Sequence, residues 1–290
     1  RSEFGLKSNP DLVGAKLKVT GSLSAYFSHS GVKNASAFEG VDGGTTDPTD
    51  PTDPTDPSDP PPSYDEYYSS AEGKTGSALK TALHNIIDDH QTLSYSAVWD
   101  ALRNTDEDPA NSNNVLLLYS GRSQSKNTNG GGIDDWNREH VWAKSHGDFG
   151  TTQGPGTDLH HLRPTDVTVN SSRGNLDFDN GGSQHPEAPG NYYDNDSWEP
   201  RDEVKGDVAR MIFYMAVRYE GDSGELDLEL NNYVNNGSAP YHGKLSVLLQ
   251  WHAEDPVDAR EIRRNNIIFE NYQGNRNPFI DHPEFAEMIW

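Results

Sequence analysis

A repeat of threonine, aspartate and proline at residues 46–59, followed by three prolines at 60–62, limits what this 290-residue chain can fold into. Proline at every third position removes backbone donors and holds the backbone extended, while neighbouring aspartates repel one another. Such a segment builds neither a helix nor a sheet. We therefore interpret residues 42–66 as a semi-rigid Asp/Pro/Thr-rich linker and expect folded structure on either side of it.

The segment before the linker has the pattern of β-strands. KLKVTGSLSAYF at residues 16–27 alternates polar and apolar residues, and GVKNASAF follows at 31–38. Such alternation is typical of half-buried strands, but two strands cannot close a barrel or bury a core. We interpret residues 1–41 as a truncated OB-like β fragment. A working nucleic-acid-binding module is the alternative.

Helical spacing of apolar residues dominates the body, residues 67–290. Helices are predicted, in chain order, from the N-cap Ser77, after Ser94, from Pro200 to Gly221, at 245–251 and at 257–272. The run VLLLYSG at 115–121 predicts a buried strand. We expect an α+β fold, with a mainly helical body around a small sheet that carries the site.

The charge balance restricts the partners of the chain. The formal net charge is −23, whereas most proteins that bind nucleic acid are basic. Residues 1–41 carry +2 and residues 42–66 carry −8, so the body itself carries −17. A polyanionic partner then requires a locally positive cleft or bound divalent cations. The absence of cysteine excludes disulfides and thiolate metal sites.

Residues 136–175 hold the groups that carry chemistry, in WNREHVWAKSHG and TDLHHLRPTDVTVNSSRGN. Glu139 and His140 place a carboxylate beside an imidazole, and Asn170 offers a carboxamide oxygen in a short helix expected after Pro164. Carboxylate and carbonyl oxygens suit Mg²⁺, and a neutral imidazole can deprotonate water. The set predicts a one-metal phosphodiester hydrolase. Alternatively, Asn170 caps the helix before Gly174.

These motifs, together with NRNPFIDHPE at 275–284, resemble the endonuclease I family of secreted and periplasmic bacterial nucleases, most closely its secreted Bacillus-type branch. The resemblance covers residues 67–290, although Ala143 stands where the family usually has proline. It implies a ββα-metal (His-Me finger) motif with His140 as general base and with Glu139 and Asn170 as ligands of Mg²⁺, which Mn²⁺ or Ca²⁺ can replace. Asn175 is the alternative to Asn170. The remaining candidates are His160 and Arg173 as further catalytic residues, and Arg122, Arg163 and Arg276 as substrate-binding residues.

The implied function is that of a secreted, sequence-nonspecific endonuclease. It would hydrolyse DNA, RNA or both through contacts with the phosphate backbone and leave 5′-phosphates. Any secretion signal is expected outside these 290 residues, with no membrane span and no obligate protein partner. Two alternatives remain. One is a zinc hydrolase of peptides or esters that uses His140, His146 and either His160 or His161; the other is a non-catalytic extracellular binding module.

Overall fold

The computed structural model describes residues 17–26, 29–40 and 64–290, in two units, Arg1–Asp59 and Pro60–Trp290, which are considered separately. In the first unit, β1 (Leu17–Tyr26) and β2 (His29–Gly40) form an antiparallel pair. Two strands therefore lie where the alternating pattern predicted them. The linker prediction falls mostly on residues outside the described ranges.

The body is a mixture of helices and short strands, which confirms the α+β class. The helices are α1 (Tyr64–Tyr67), α2 (Gly76–Ile87), α3 (Val98–Thr105), α4 (Val167–Arg173), α5 (Lys205–Arg218), α6 (Leu245–Glu254), α7 (Ala259–Ile268), α8 (Pro278–Asp281) and α9 (Phe285–Ile289). The strands are β3 (Glu107–Asp108), β4 (Asn111–Leu116), β5 (Ser123–Ser125), β6 (Trp136–His140), β7 (Leu162–Asp166), β8 (Asp177–Phe178), β9 (Ser183–Gln184), β10 (Tyr192–Tyr193), β11 (Ser197–Glu199), β12 (Glu229–Leu230) and β13 (Tyr241–His242).

The strands of the body form several small sheets. The described sheets of the body are β3-β4-β5, β6-β7, β8-β11-β10-β9 and β12-β13. Each of these strands has only two to six residues. In the loops between them, polar side chains accept hydrogen bonds from nearby backbone N–H groups, which therefore do not pair with another strand. The sheet that holds Glu139 and His140 is the two-stranded pair β6-β7.

Two apolar clusters hold the body together. The larger surrounds α5, whose residues are all buried, and includes side chains of α2 and α6. The smaller includes α3, Trp136, Leu162 and Ile268. Strand β6 begins with Trp136 in the smaller cluster, and Val141 and Trp142, which follow it, lie in the larger one. Burial of large side chains at both ends therefore fixes the position of β6.

Local signals shifted some predicted boundaries. The helix expected from Ser77 begins at Gly76 with Thr75 as its N-cap, and the folded body begins at Tyr64 rather than after the predicted linker end. In the run at 115–121, the ladder ends at Leu116, although the next three residues are buried. Pro164, expected in a first helical turn, lies in β7, because the helix starts only after Asp166.

Candidate active site

A cleft of about 320 Å³ brings together the three residues on which the predicted chemistry depends. Glu139, His140 and Asn170 all line it, together with Tyr95, Trp99, Gly130, Asn137, Arg138, Ala143, Lys144 and Gly174. Glu139 and His140 end strand β6, which pairs antiparallel with β7 so that Glu139 lies opposite Arg163. Helix α4 follows β7 directly and carries Asn170. Strand β6 and helix α4 thus contribute residues to the cleft, and β7 connects the two.

Asp166 fixes the start of α4. Its carboxylate accepts hydrogen bonds from the backbone N–H groups of Thr168 and Val169, at 2.9 and 3.3 Å. This side-chain cap satisfies two donors that a helix leaves unpaired at its N-terminus. Because the strand ends at the capping residue, α4 begins without a connecting loop. Asn170 therefore lies in the first turn of a helix that starts directly at the end of β7.

Glu139 is a buried carboxylate that is held by two donors. The Tyr119 hydroxyl donates to Oε1 of Glu139 at 2.9 Å, and Nη1 of Arg173 lies 3.2 Å from the same oxygen. Burial raises the pKa of Glu139, and the charge of Arg173 and the tyrosine hydrogen bond both oppose that rise. Both contacts are made by Oε1 and fix the orientation of the carboxylate. Oε2 takes part in neither of these two contacts.

His140 is buried at the floor of the cleft, and its hydrogen bond sets its tautomer. Nε2 of His140 lies 3.0 Å from the carbonyl oxygen of Gly156, which can only accept, so Nε2 carries the proton. Nδ1 then keeps the lone pair that a base requires. Burial, with a further contribution from His161, lowers the pKa of His140 to about 3. The imidazole is therefore neutral throughout the physiological pH range.

Gly156 is the residue that places this carbonyl. A side chain built at Gly156 would put its Cβ 2.6 Å from the carbonyl oxygen of Thr152, a separation that real Cβ atoms do not tolerate. Any other residue would therefore displace the backbone that holds Nε2 of His140. The sequence alone gave no reason to single out Gly156, because Gly156 and His140 are sixteen positions apart and Gly156 contributes only its backbone carbonyl.

Asn170 faces the cleft with one end of its amide already engaged. Its Nδ2 donates to Oδ1 of Asn137 at 2.7 Å, so its own Oδ1 is the end that can meet a cation. The C-cap alternative assigned Asn170 to ending the helix, but here only its backbone carbonyl does so, by accepting from the N–H of Gly174 at 2.9 Å. The side chain is left to contribute to the cleft.

Arg173 lies behind the cleft rather than in it. Its guanidinium is fully buried and donates to the carbonyl oxygens of His140 and Val141 at 3.0 and 2.6 Å, besides its ion pair with Glu139. Nη2 of Arg173 also lies 3.3 Å from Nε2 of His242. These contacts place Arg173 where it positions Glu139 and His140, and they do not bring it to the cleft surface.

The other predicted residues lie outside the cleft, which corrects the expectation that they meet the substrate there. His160 is buried against the carbonyl oxygen of Asn275, at 3.2 Å from Nε2. Arg163 pairs with buried Asp106 and lines a different cavity of about 270 Å³. Arg276 is buried beside Asp281, and Arg122 is half-exposed beside Asp166. Acid partners inside the fold hold all three arginines.

A second group of potential metal ligands lies outside the cleft. One ligand atom each from His146, Asp177 and His242 lies within 4.8 Å of the others, so this buried group can hold a metal ion. Without a metal, the two ring nitrogens of His146 lie 2.7 and 2.9 Å from the carbonyl oxygens of Tyr241 and Asn175. Because His146 lies in this group and His140 in the cleft, the histidines of the predicted zinc hydrolase are not gathered around one ion.

Comparison with known proteins decides the family. Residues 75–284 match the sequence model of the endonuclease I family, which is more than half of the chain. The chain belongs to the endonuclease I family. Its first 41 residues match a separate domain of unknown function (DUF6359). The resemblance that the motifs suggested is thereby confirmed, and so is the prediction of a nuclease.

Three named proteins are similar to this chain, two from Bacillus and one from Buchnera. The extracellular ribonucleases of Bacillus subtilis (strain 168) and Bacillus amyloliquefaciens are 72% and 71% identical to this chain over 226 residues, which is 78% of this chain and 78% of each relative. Endonuclease-1 of Buchnera aphidicola subsp. Baizongia pistaciae is 30% identical over 139 residues, which is 43% of this chain and 46% of that protein. Within the described ranges, no helix has the length and apolar character needed to cross a bilayer.

Proposed function

We propose that this endonuclease I family member is a secreted, metal-dependent nuclease that cuts RNA, DNA or both by direct attack of water on phosphorus. The observation that carries the proposal is the convergence of Glu139, His140 and Asn170 in one cleft. Two relatives named extracellular ribonucleases support secretion and RNA as a substrate. The succession of β6, β7 and α4 supports a ββα-metal motif.

The donor set of the cleft suits a hard divalent cation such as Mg²⁺ or Mn²⁺. Glu139 and Asn170 offer a carboxylate and a carboxamide oxygen, and neither sulfur nor a second imidazole lines the described cleft. A cation bound by these two residues would neutralise the charge that develops on the phosphate and the leaving oxygen. Tyr119 and Arg173 keep the Glu139 carboxylate in place for this purpose.

His140 acts as the general base in this proposal. Nδ1 removes a proton from a water molecule, whose oxygen forms a bond to phosphorus as the bond to the 3′ oxygen breaks. The 3′ oxygen takes up a proton from solvent, and the new end carries a 5′-phosphate. No step uses a 2′-hydroxyl, so the mechanism allows both RNA and DNA as substrates.

The test is cleavage of plasmid DNA and of RNA by the purified protein with Mg²⁺, with and without EDTA, followed by analysis of the ends. The proposal predicts metal-dependent cleavage, 5′-phosphate ends and continued cleavage of RNA whose 2′-hydroxyls are methylated. Cleavage in the presence of EDTA would refute the proposed requirement for a metal ion. Products with 2′,3′-cyclic phosphates, or resistance of the methylated RNA alone, would refute direct attack by water.

A further inference from the structure

The cleft contains two cationic side chains that have no acidic partner among the described residues, in a chain that is otherwise strongly acidic. Among the arginines whose side chains the structure describes, all except Arg138 lie within 4.0 Å of a carboxylate oxygen. Lys144 also makes no ion pair with any described residue, and both side chains line the cleft of Glu139, His140 and Asn170. Two cations without a described acidic partner thus lie in this cleft, although the protein carries a formal charge of −23.

Arg138 is held in position by aromatic rings. Its guanidinium carbon lies 3.4 Å from the ring centre of Tyr95 and 4.0 Å from that of Trp99. Nη1 of Arg138 also donates to the backbone oxygen of Tyr95 at 2.5 Å. Trp99 in turn packs edge-on against buried Trp136, with ring centres 5.3 Å apart. Cation–π contacts and this anchoring order the guanidinium before any ligand arrives.

The position of Arg138 relative to the base is set by strand β6. Successive side chains of a strand alternate between its two faces, so Arg138 and His140 lie on the same face. Tyr95 connects them, since its ring also stacks on the His140 ring at a centre-to-centre distance of 5.9 Å. Arg138 and the proposed base therefore contact the same ring and line the same cleft. Nε of Arg138 is buried and has no hydrogen-bond partner among the described residues.

We propose that Arg138 and Lys144 form a phosphate-binding subsite, which seats the nucleic-acid backbone next to the bond that is cut. This inference rests on the proposed function and adds the groups that attract the polyanion. The forked donors of arginine match two phosphate oxygens, whereas the exposed ammonium of Lys144 acts as a point charge at the rim. Phosphate rather than a base is the proposed ligand, because the guanidinium is a charged donor group and already covers one face of Tyr95 and of Trp99.

The test compares Arg138→Gln and Lys144→Gln with a matched control, Lys74→Gln. Lys74 is an exposed cation without an ion pair among described residues; it bonds to the carbonyl oxygen of Ser70 and lies outside the cleft. Each substitution changes the net charge equally. We expect Arg138→Gln to raise the KM for an oligonucleotide about tenfold or more, since a hydrogen bond to a charged group contributes on the order of 1.5–3 kcal/mol. Lys144→Gln should raise it less, and Lys74→Gln should leave it unchanged.

Salt dependence separates phosphate binding from a packing role. Each lost phosphate contact should reduce the slope of log(kcat/KM) against log[salt] by roughly one unit, in the Arg138 and Lys144 variants only. A packing role for Arg138 would lower Tm but leave the slope unchanged. Arg138→Lys keeps the charge without the fork and should retain the slope while KM rises.

The inference is overturned if Arg138→Gln and Lys144→Gln both keep the wild-type KM and salt slope. Should Arg138→Gln fail to fold, Lys144→Gln decides alone, because that side chain is exposed. Should the slope fall equally in the Lys74 variant, general charge rather than a subsite is responsible, and the inference fails. If the wild-type protein cuts neither DNA nor RNA, the proposed function fails instead, so the two failures are distinguishable.

Discussion

Replacing Arg173 by methionine tests whether a buried charge positions Glu139, the proposed metal ligand. The guanidinium is fully buried, pairs with Glu139 at 3.2 Å and donates to two backbone carbonyls. Breaking such a buried pair from one side costs on the order of 3–5 kcal/mol, because the remaining charge is left without compensation. At about 2–4 °C per kcal/mol for a body of this size, Tm should fall by roughly 6–20 °C.

The same substitution should also change the Mg²⁺ requirement. Burial already raises the pKa of Glu139, and Arg173 is the largest influence that opposes the rise. Without Arg173 the pKa of Glu139 rises further, and a protonated carboxyl no longer attracts the cation. Each unit by which that pKa exceeds the pH weakens metal binding about tenfold. The Mg²⁺ concentration for half-maximal activity should therefore rise at pH 7 and return toward the wild-type value at higher pH.

The matched control is Arg210→Met, which breaks another buried ion pair, with Glu261 at 2.6 Å, outside the cleft. Urea unfolding should show a similar loss of stability in both variants, whereas Mg²⁺ titrations of activity should differ. A wild-type Mg²⁺ requirement in folded Arg173→Met would refute the positioning role. An equal shift in both variants would show that the effect comes from lost stability alone.

Three further predictions follow from the cleft. His140→Ala should abolish cleavage but leave oligonucleotide affinity intact. In the wild-type protein, kcat should stay level from pH 8 to pH 5, because the pKa of His140 is lowered to about 3. A fall in kcat centred near pH 6.5 would contradict the second expectation. Asn170→Ala should raise the Mg²⁺ concentration for half-maximal activity while Asn170→Asp restores it, and equal values in the two variants would contradict a ligand role. Burial lowers the pKa values of His140, His160 and His161 to about 3, 4 and 4, whereas unfolded histidines take up protons from about pH 6.5 downward. Burial also raises the pKa of Glu261 to about 8, which opposes part of the resulting loss of stability. The free energy of unfolding should therefore be lower at pH 5.5 than at pH 7 by about 2 kcal/mol. Equal urea midpoints at the two pH values would refute this last expectation.

Residue type and motif sufficed to single out three residues that the fold brings together. Glu139, His140 and Asn170 were identified because their side chains carry distinctive chemistry, and they lie together in the cleft. The helices were also predictable, since periodic burial of apolar side chains is a local signal. The boundaries were less so: Pro164 belongs to a strand because its partner Arg138 lies in β6, far away in the sequence.

Arginine roles could not be predicted from the sequence. The chain supplies acids almost everywhere, and only the fold decides which arginine meets one. Arg163 and Arg276 were expected at the substrate, yet each has a buried carboxylate partner. Arg138 was passed over, although it is the arginine in the cleft without an acidic partner among the described residues. Its distinction depends on Tyr95, which the chain supplies more than forty positions earlier.

The contact between Gly156 and His140 has a consequence for anyone who redesigns this enzyme. In the proposed mechanism, activity depends on the length and path of residues 141–156, which return a single carbonyl oxygen to the imidazole. Insertions, deletions or grafted epitopes in this stretch should silence the enzyme even when every side chain of the cleft is kept. Substituting Gly156 should impair activity in the same way, because a side chain there displaces the backbone that holds His140.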